Sequence, residues 1–263
     1  MQVFRSRWLA LVSGGALALG TLFVASPAMA AKPKEEAQAQ QPQANYSKGF
    51  RKEGAKVSKL VSEQKWDEVL AAIPAVEALE GLTDDDRRAL YQWKVLAYQG
   101  KQDWPAVATT YAAWADSGLV EPARVPEYYR QVAAIYSSRL KDNAQTLVYF
   151  RKSVAATQDP SEEDLHTLIM LTRQQKDCAG LIEWTDKATQ IQVRRGAGPR
   201  ETWLQFLDGC YVESGAKEKR LANLEELAKR FPKRDYYTRI NTLYQQGSND
   251  DRIVMINMLR LAM

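Results

Sequence analysis

A helix, turn, helix pattern that recurs along most of the chain constrains its fold more than any other feature. From Lys48 onward the residues are helix formers, with apolar side chains three and four apart and no sustained strand-type alternation. Aligned on the short turn inside each pair, six pairs emerge, with second helices beginning near Trp66, Trp104, Asn143, Cys178, Lys217 and Asn249. Those starts lie 38, 39, 35, 39 and 32 residues apart. A period of that length marks stacked helical hairpins, because one hairpin cannot bury its apolar face alone and must lay it on its neighbours. The expected fold is all-α, a right-handed solenoid of about six helical hairpins over residues 47–263.

Two pairs add residue types to the spacing. In LAYQGKQDWPAVATTYAAWA, Gly100 follows the first helix, Trp104 opens the second, and Val107, Tyr111 and Trp114 fall on one face. In GAKEKRLANLEELAKRFP, Gly215 is followed by Leu224, Leu227 and a closing Pro232. Gly suits the left-handed geometry at a helix C-terminus, and Pro cannot continue the hydrogen-bond ladder. These stretches resemble the tetratricopeptide repeat (TPR) motif, which implies a TPR-like array. The remaining pairs match more loosely, through Asn143, Thr146, Phe150 and Ser153, through Cys178, Leu181, Thr185 and Ala188, and through Gly247, Ile256 and Leu259. Thr83-Asp84-Asp85-Asp86 and Ser161-Glu162-Glu163-Asp164 place a carboxylate three residues after a hydroxyl, the capping pattern of a helix start. A metal site on the acidic run is the competing reading, disfavoured because consecutive helical residues point apart.

Residues 1–30 carry the three parts of a cleavable signal peptide: Arg5 and Arg7, an apolar stretch from Trp8 to Val24, and the small-x-small site Ala28-Met29-Ala30. Gly14, Gly15 and Gly20 dilute the stretch, so cleavage and export to the periplasm are expected, with an uncleaved inner-membrane anchor as the alternative. Residues 31–46, AKPKEEAQAQQPQANY, read as a disordered Ala/Gln/Pro linker. Removing Arg5 and Arg7 from 36 basic residues leaves 34 against 32 acidic ones, no footprint for nucleic acid. No membrane insertion is expected after cleavage.

An exported chain meets an oxidising compartment, where two thiols pair if geometry allows. Cys178 opens a second helix and Cys210 lies toward the end of the next first helix, ends that a stacked array brings to similar height. A Cys178–Cys210 disulfide is therefore expected, against the alternative of two separate buried thiols. Catalytic chemistry is not evident. The lone His166 has no second His or Cys-rich pair to make a zinc set, and no glycine-rich phosphate loop or GxSxG elbow is present. The chain reads as non-enzymatic, with no metal or cofactor.

Trp66, Trp93, Trp104, Trp114, Trp184 and Trp203 mostly fall at core spacing. Tyr91, Tyr98, Tyr128 and Tyr129 are harder to place inside. First-helix residues off the packing face would line the concave side of a superhelix, where such arrays hold peptide segments. The candidates there are Tyr91, Lys94, Tyr98, Tyr128, Gln131, His166, Arg173, Gln205 and Glu213, and a solvated face is the alternative reading of all nine.

A further resemblance lies at the ends. FPKRDYYTRINTLYQQGSNDDRIVMINMLRLAM and YSKGFRKEGAKVSKLVSEQKWDEVLAAI are similar to the corresponding regions of periplasmic TPR proteins that accompany TonB-type energy-transduction systems of Gram-negative bacteria. That resemblance implies a non-catalytic envelope adaptor with protein or peptide partners among TonB, ExbB and ExbD components. Those proteins continue with further helices, whereas here the apolar stretch Ile253 to Met263 comes last. It reads as an open binding edge, a homodimer contact or a truncated coding sequence. The alternatives in function are an envelope-assembly scaffold for outer-membrane or peptidoglycan factors, and a helical-solenoid enzyme that cleaves glycan strands.

Overall fold

The computed structural model describes residues 44–245. The leader, the linker up to residue 43, the sixth pair's second helix with Gly247, Asn249, Ile256 and Leu259, and the stretch Ile253 to Met263 lie outside the described residues. Eleven α-helices make up this region: α1 (Lys48–Ser62), α2 (Trp66–Glu77), α3 (Asp84–Gly100), α4 (Trp104–Asp116), α5 (Val125–Ile135), α6 (Asn143–Ala156), α7 (Glu162–Gln174), α8 (Cys178–Arg194), α9 (Glu201–Glu213), α10 (Lys217–Arg230) and α11 (Arg234–Gln245). Helices pack mainly on their sequence neighbours, and first helices also touch one another at α1 with α3 and α7 with α9. No strand occurs among the described residues. This is an all-α solenoid of five complete hairpins and the first helix of a sixth, and the five described second helices begin at the five residues that the spacing predicts.

One turn recurs in every hairpin. Gln64, Gln102, Lys141, Lys176 and Gly215 hold left-handed φ angles of 56°, 57°, 56°, 55° and 67°, each two residues before a second helix. The residue after each donates its N–H back into the first helix, from Lys65 to the Leu60 carbonyl, Asp103 to Tyr98, Asp142 to Tyr136, Asp177 to Thr172 and Ala216 to Tyr211. This closes the helix ends and occupies carbonyls that would otherwise be orphaned. Asp103, Asp142 and Asp177 then accept the N–H of Ala106, Gln145 and Gly180, capping the second helices. The third turn is one residue longer because Tyr136–Leu140 forms a π-helical turn, which lets Tyr136 stack on Tyr149 at 5.5 Å.

Gly215 takes the left-handed position as its motif predicts, but Gly100 does not. Gly100 is helical, and Gln102 supplies the left-handed residue. The glycine answers a different need, since a Cβ there would overlap the Trp66 indole nitrogen. Trp66, at the first turn, thus seats directly on the backbone at the second. Of the six tryptophans among the described residues, only Trp184 and Trp203 are buried, and the other four are half-buried, covering the seams between hairpins.

Both predicted capping sequences form. Thr83 accepts the Asp86 N–H while Asp86 accepts the Thr83 N–H, and Ser161 accepts the Asp164 N–H. Asp86 is fully buried and also accepts the Ser47 N–H, while Asp85 accepts that of Asn45. These carboxylates tie the start of α1 to the start of α3. The core is a chain of apolar clusters, from Phe50, Val57, Ile73 and Leu90 at one end to Leu168, Trp203, Leu224 and Ile240 at the other. The buried Asp208 adds an ionic tie, accepting from Arg220 at 2.8 Å and Arg239 at 2.9 Å and so joining α9, α10 and α11.

Cys178 and Cys210 form a disulfide, with Cα atoms 5.5 Å apart. Two measurements test these seams. Gly100→Ala must displace the Trp66 ring and is expected to lower urea-unfolding stability by about 1–3 kcal/mol despite alanine's higher helix propensity, with Trp66→Leu restoring most of the loss. Replacing both cysteines by serine frees a loop of sequence separation 32 and is expected to lower stability by about 3–4 kcal/mol in the absence of reductant.

Candidate functional site

The first helices carry all nine candidate residues, and tertiary packing divides seven of them among three grooves and leaves Tyr98 and His166 outside. Tyr91 and Lys94 on α3 line a cavity of about 440 Å³ together with Glu77, Leu79, Ser117 and Leu119. Lys94 Nζ lies 2.6 Å from Glu77, and Tyr91 stacks on Trp114 at 5.7 Å. Tyr98 is half-buried on α3 and lines none of the three grooves.

A larger groove of about 730 Å³ lies between α3 and α5 and takes in Tyr128 and Gln131. Its α3 wall is Arg88, Gln92, Val95, Leu96 and Gln99, and its α5 side begins at Arg124. Spacings of four and seven residues put the α3 polar groups on one face. Tyr111, Trp114 and Tyr128 form its aromatic floor, with Trp114 and Tyr128 edge to face at 5.1 Å. Burial pushes the Tyr111 and Tyr128 phenols up from their ordinary range. Tyr128 and Tyr129, hard to place inside from sequence, are both 9% exposed. The small Ala115 on α4 packs in one cluster with both rings. Tyr129 donates to Asp116 deep enough for burial and that bond to raise it to about 12.

Arg173, Gln205 and Glu213 converge on a third groove of about 270 Å³ beside the disulfide, with Lys176, Phe206 and Gly209. The Arg173 guanidinium lies over the Phe206 ring at 4.1 Å. Gln205 donates to the Tyr236 hydroxyl at 2.6 Å, which fixes its amide between α9 and α11. His166 stands apart from the grooves. It accepts the indole N–H of the fully buried Trp203 at 3.0 Å, a packing role between α7 and α9. The sequence reading misses Arg88, Gln92, Gln99, Arg124, Phe206 and Gly209. The Arg88, Gln92, Gln99 spacing is the one signal that would find the α3 wall.

Among the described residues no group of three or more His, Cys, Asp or Glu is placed to hold a metal ion. No described helix is long and apolar enough to cross a membrane. No protein-family model and no curated protein matches the chain. Among solved structures, the crystal structure of BtubC (BKLC) from P. vanneervenii aligns over 68% of this chain and 78% of that one, at 14% identity and a TM-score of 0.34. A likeness that distant informs neither fold nor function.

The His166 contact predicts a pH dependence. Burial, and then the nearby Arg200, hold the imidazole below its ordinary value of about 6.5. The unfolded chain therefore takes up this proton at higher pH than the folded one. Stability from this site is complete above that ordinary value and is lost as pH falls through the lowered folded value. His166→Gln, whose amide oxygen still accepts from Trp203, is expected to show a smaller drop in urea midpoint between pH 7.5 and 5.5 than the wild type.

Proposed function

We propose that the chain is a periplasmic, non-catalytic scaffold of the TPR type that holds a partner protein's segment along its first-helix face. One observation carries this reading: the α3–α5 groove presents guanidinium, carboxamide and aromatic groups at successive helical turns. Arg88, Arg124, Gln92, Gln99 and Gln131 rim the aromatic floor of Tyr111, Trp114 and Tyr128. Carboxamides match the alternating donors and acceptors of an extended backbone, and tyrosine and arginine supply area with a polar handle. The disulfide suits an oxidising compartment, in keeping with the leader's pattern.

The preferred partners are TonB, ExbB and ExbD components, on the resemblance of the terminal stretches. An assembly role with outer-membrane or peptidoglycan factors is the second reading.

The test is affinity capture from envelope extract with mass spectrometry of the retained proteins. TonB-system components are expected on the wild-type protein and at least about tenfold less on Gln92→Glu/Arg124→Glu, a loss of about 1.4 kcal/mol or more in binding. Retention of peptidoglycan factors alone would replace the first partner class with the second. Retention that the groove variant leaves unchanged would sink the scaffold assignment at this face.

A further inference from the structure

Gly209 sits in the middle of α9, where neither backbone nor packing asks for glycine. Its conformation is helical, and in a helix interior glycine is less favourable than alanine. A Cβ added there would meet no heavy atom within 4 Å, in contrast to Gly54 and Gly100, where it would press on Trp93 and Trp66. The space above Gly209 is the third groove, bounded by Arg173, Lys176, Phe206, Glu213 and the Cys178–Cys210 disulfide. Glycine in such a place lets another backbone come close.

The charges around that floor are of a particular kind. The Arg173 guanidinium rests over the Phe206 ring, which holds that cation in place at the groove in advance. Neither Arg173 nor Lys176 forms an ion pair with a carboxylate among the described residues. Asp177, the near acid, is already occupied as the cap of α8 and as the partner of Arg151 at 3.2 Å. Glu213 lies at the disulfide end, its carboxylate 3.6 Å from Cys178 Sγ. The groove thus offers two cations, an open floor and, besides the engaged Asp177, one further carboxylate, Glu213.

We propose that this groove seats an extended segment of a partner protein, its backbone laid across Gly209, an acidic side chain on Arg173 and Lys176, and a basic side chain at Glu213. The assignment rests on the scaffold reading above and supplies the partner chemistry that reading lacks. Fixed cation, floor and anion set the direction of the segment as well as its charge, because the reversed segment places like charges together.

The probe is a fluorescein-labelled Ala/Gly peptide with capped ends, carrying one glutamate and, shortly after it, one lysine, followed by fluorescence anisotropy at low salt. It is expected to bind at least about tenfold more tightly than the same peptide with glutamine for glutamate, or with acid and base interchanged. Gly209→Ala and Gly209→Gln are expected to raise the thermal midpoint, since both are better helix formers in open space. Gly209→Gln is also expected to weaken the peptide at least about tenfold. Arg173→Gln should erase the preference for glutamate over glutamine. Equal binding by Gly209→Gln and the wild type, or equal binding of the glutamate and glutamine peptides, would overturn the proposal. Envelope partners lost from Gln92→Glu/Arg124→Glu but kept by Gly209→Gln would overturn this groove and leave the scaffold reading standing.

Discussion

The contact on which the array's register depends is made where the first residue of a second helix meets the last turn of the next first helix. Trp66 lies on Gly100, Trp104 lies under the Arg139 guanidinium at 4.5 Å, and Cys178 lies beside Glu213. Gly100, Arg139 and Glu213 each stand two residues before the left-handed residue of their turn, so the position is equivalent in three hairpins. The chemistry differs each time: close packing on bare backbone, cation over indole, and a covalent link to Cys210 one helical turn earlier. In a solenoid each repeat touches only its neighbours, so such local contacts must set the stacking one seam at a time.

The shared turn makes that equivalence possible. Four of its five left-handed residues are Gln or Lys rather than Gly, although that conformation disfavours L side chains by about 1–2 kcal/mol per residue. The returned N–H bond at every turn, and the aspartate caps at three of them, offset this by satisfying groups that would otherwise be unpaired. At the start of α3 and in the middle of α9, Asp86 and Asp208 do similar work from buried positions, gathering backbone N–H groups in one case and two arginines in the other. Polar groups, not apolar area alone, hold the hairpins to one another.

With the stacking set, the first-helix face is broken into separate grooves instead of one strip, and two of them differ sharply in chemistry. The α3–α5 groove is wide, aromatic and rich in carboxamides, whereas the α9 groove is narrow and charged, with a glycine floor. The proposed scaffold role draws on the first, and the proposed acid-and-base selectivity on the second. His166 and Tyr128 mark the boundary of such reasoning. Both lie on first helices, yet one is committed to Trp203 and the other is drawn down among Trp114 and Tyr111.

The sequence by itself determined where the second helices begin, the caps at Thr83 and Ser161, and the pairing of the cysteines. Each depends on residues near in sequence or on the repeat length: the starts at Trp66, Trp104, Asn143, Cys178 and Lys217 follow from local spacing, and Thr83 and Ser161 cap within three residues. Only the tertiary structure decided what depends on a neighbouring hairpin. Gly100 reads from sequence as a helix-ending glycine because that use and close packing leave the same residue. The Trp66 ring, 34 positions away, separates the two. Likewise Arg88, Gln92 and Arg124 become one groove, and Gly209 becomes a floor, through side chains contributed by other helices. Helical spacing tells which residues share a face, but what stands opposite that face is settled by packing across the seam.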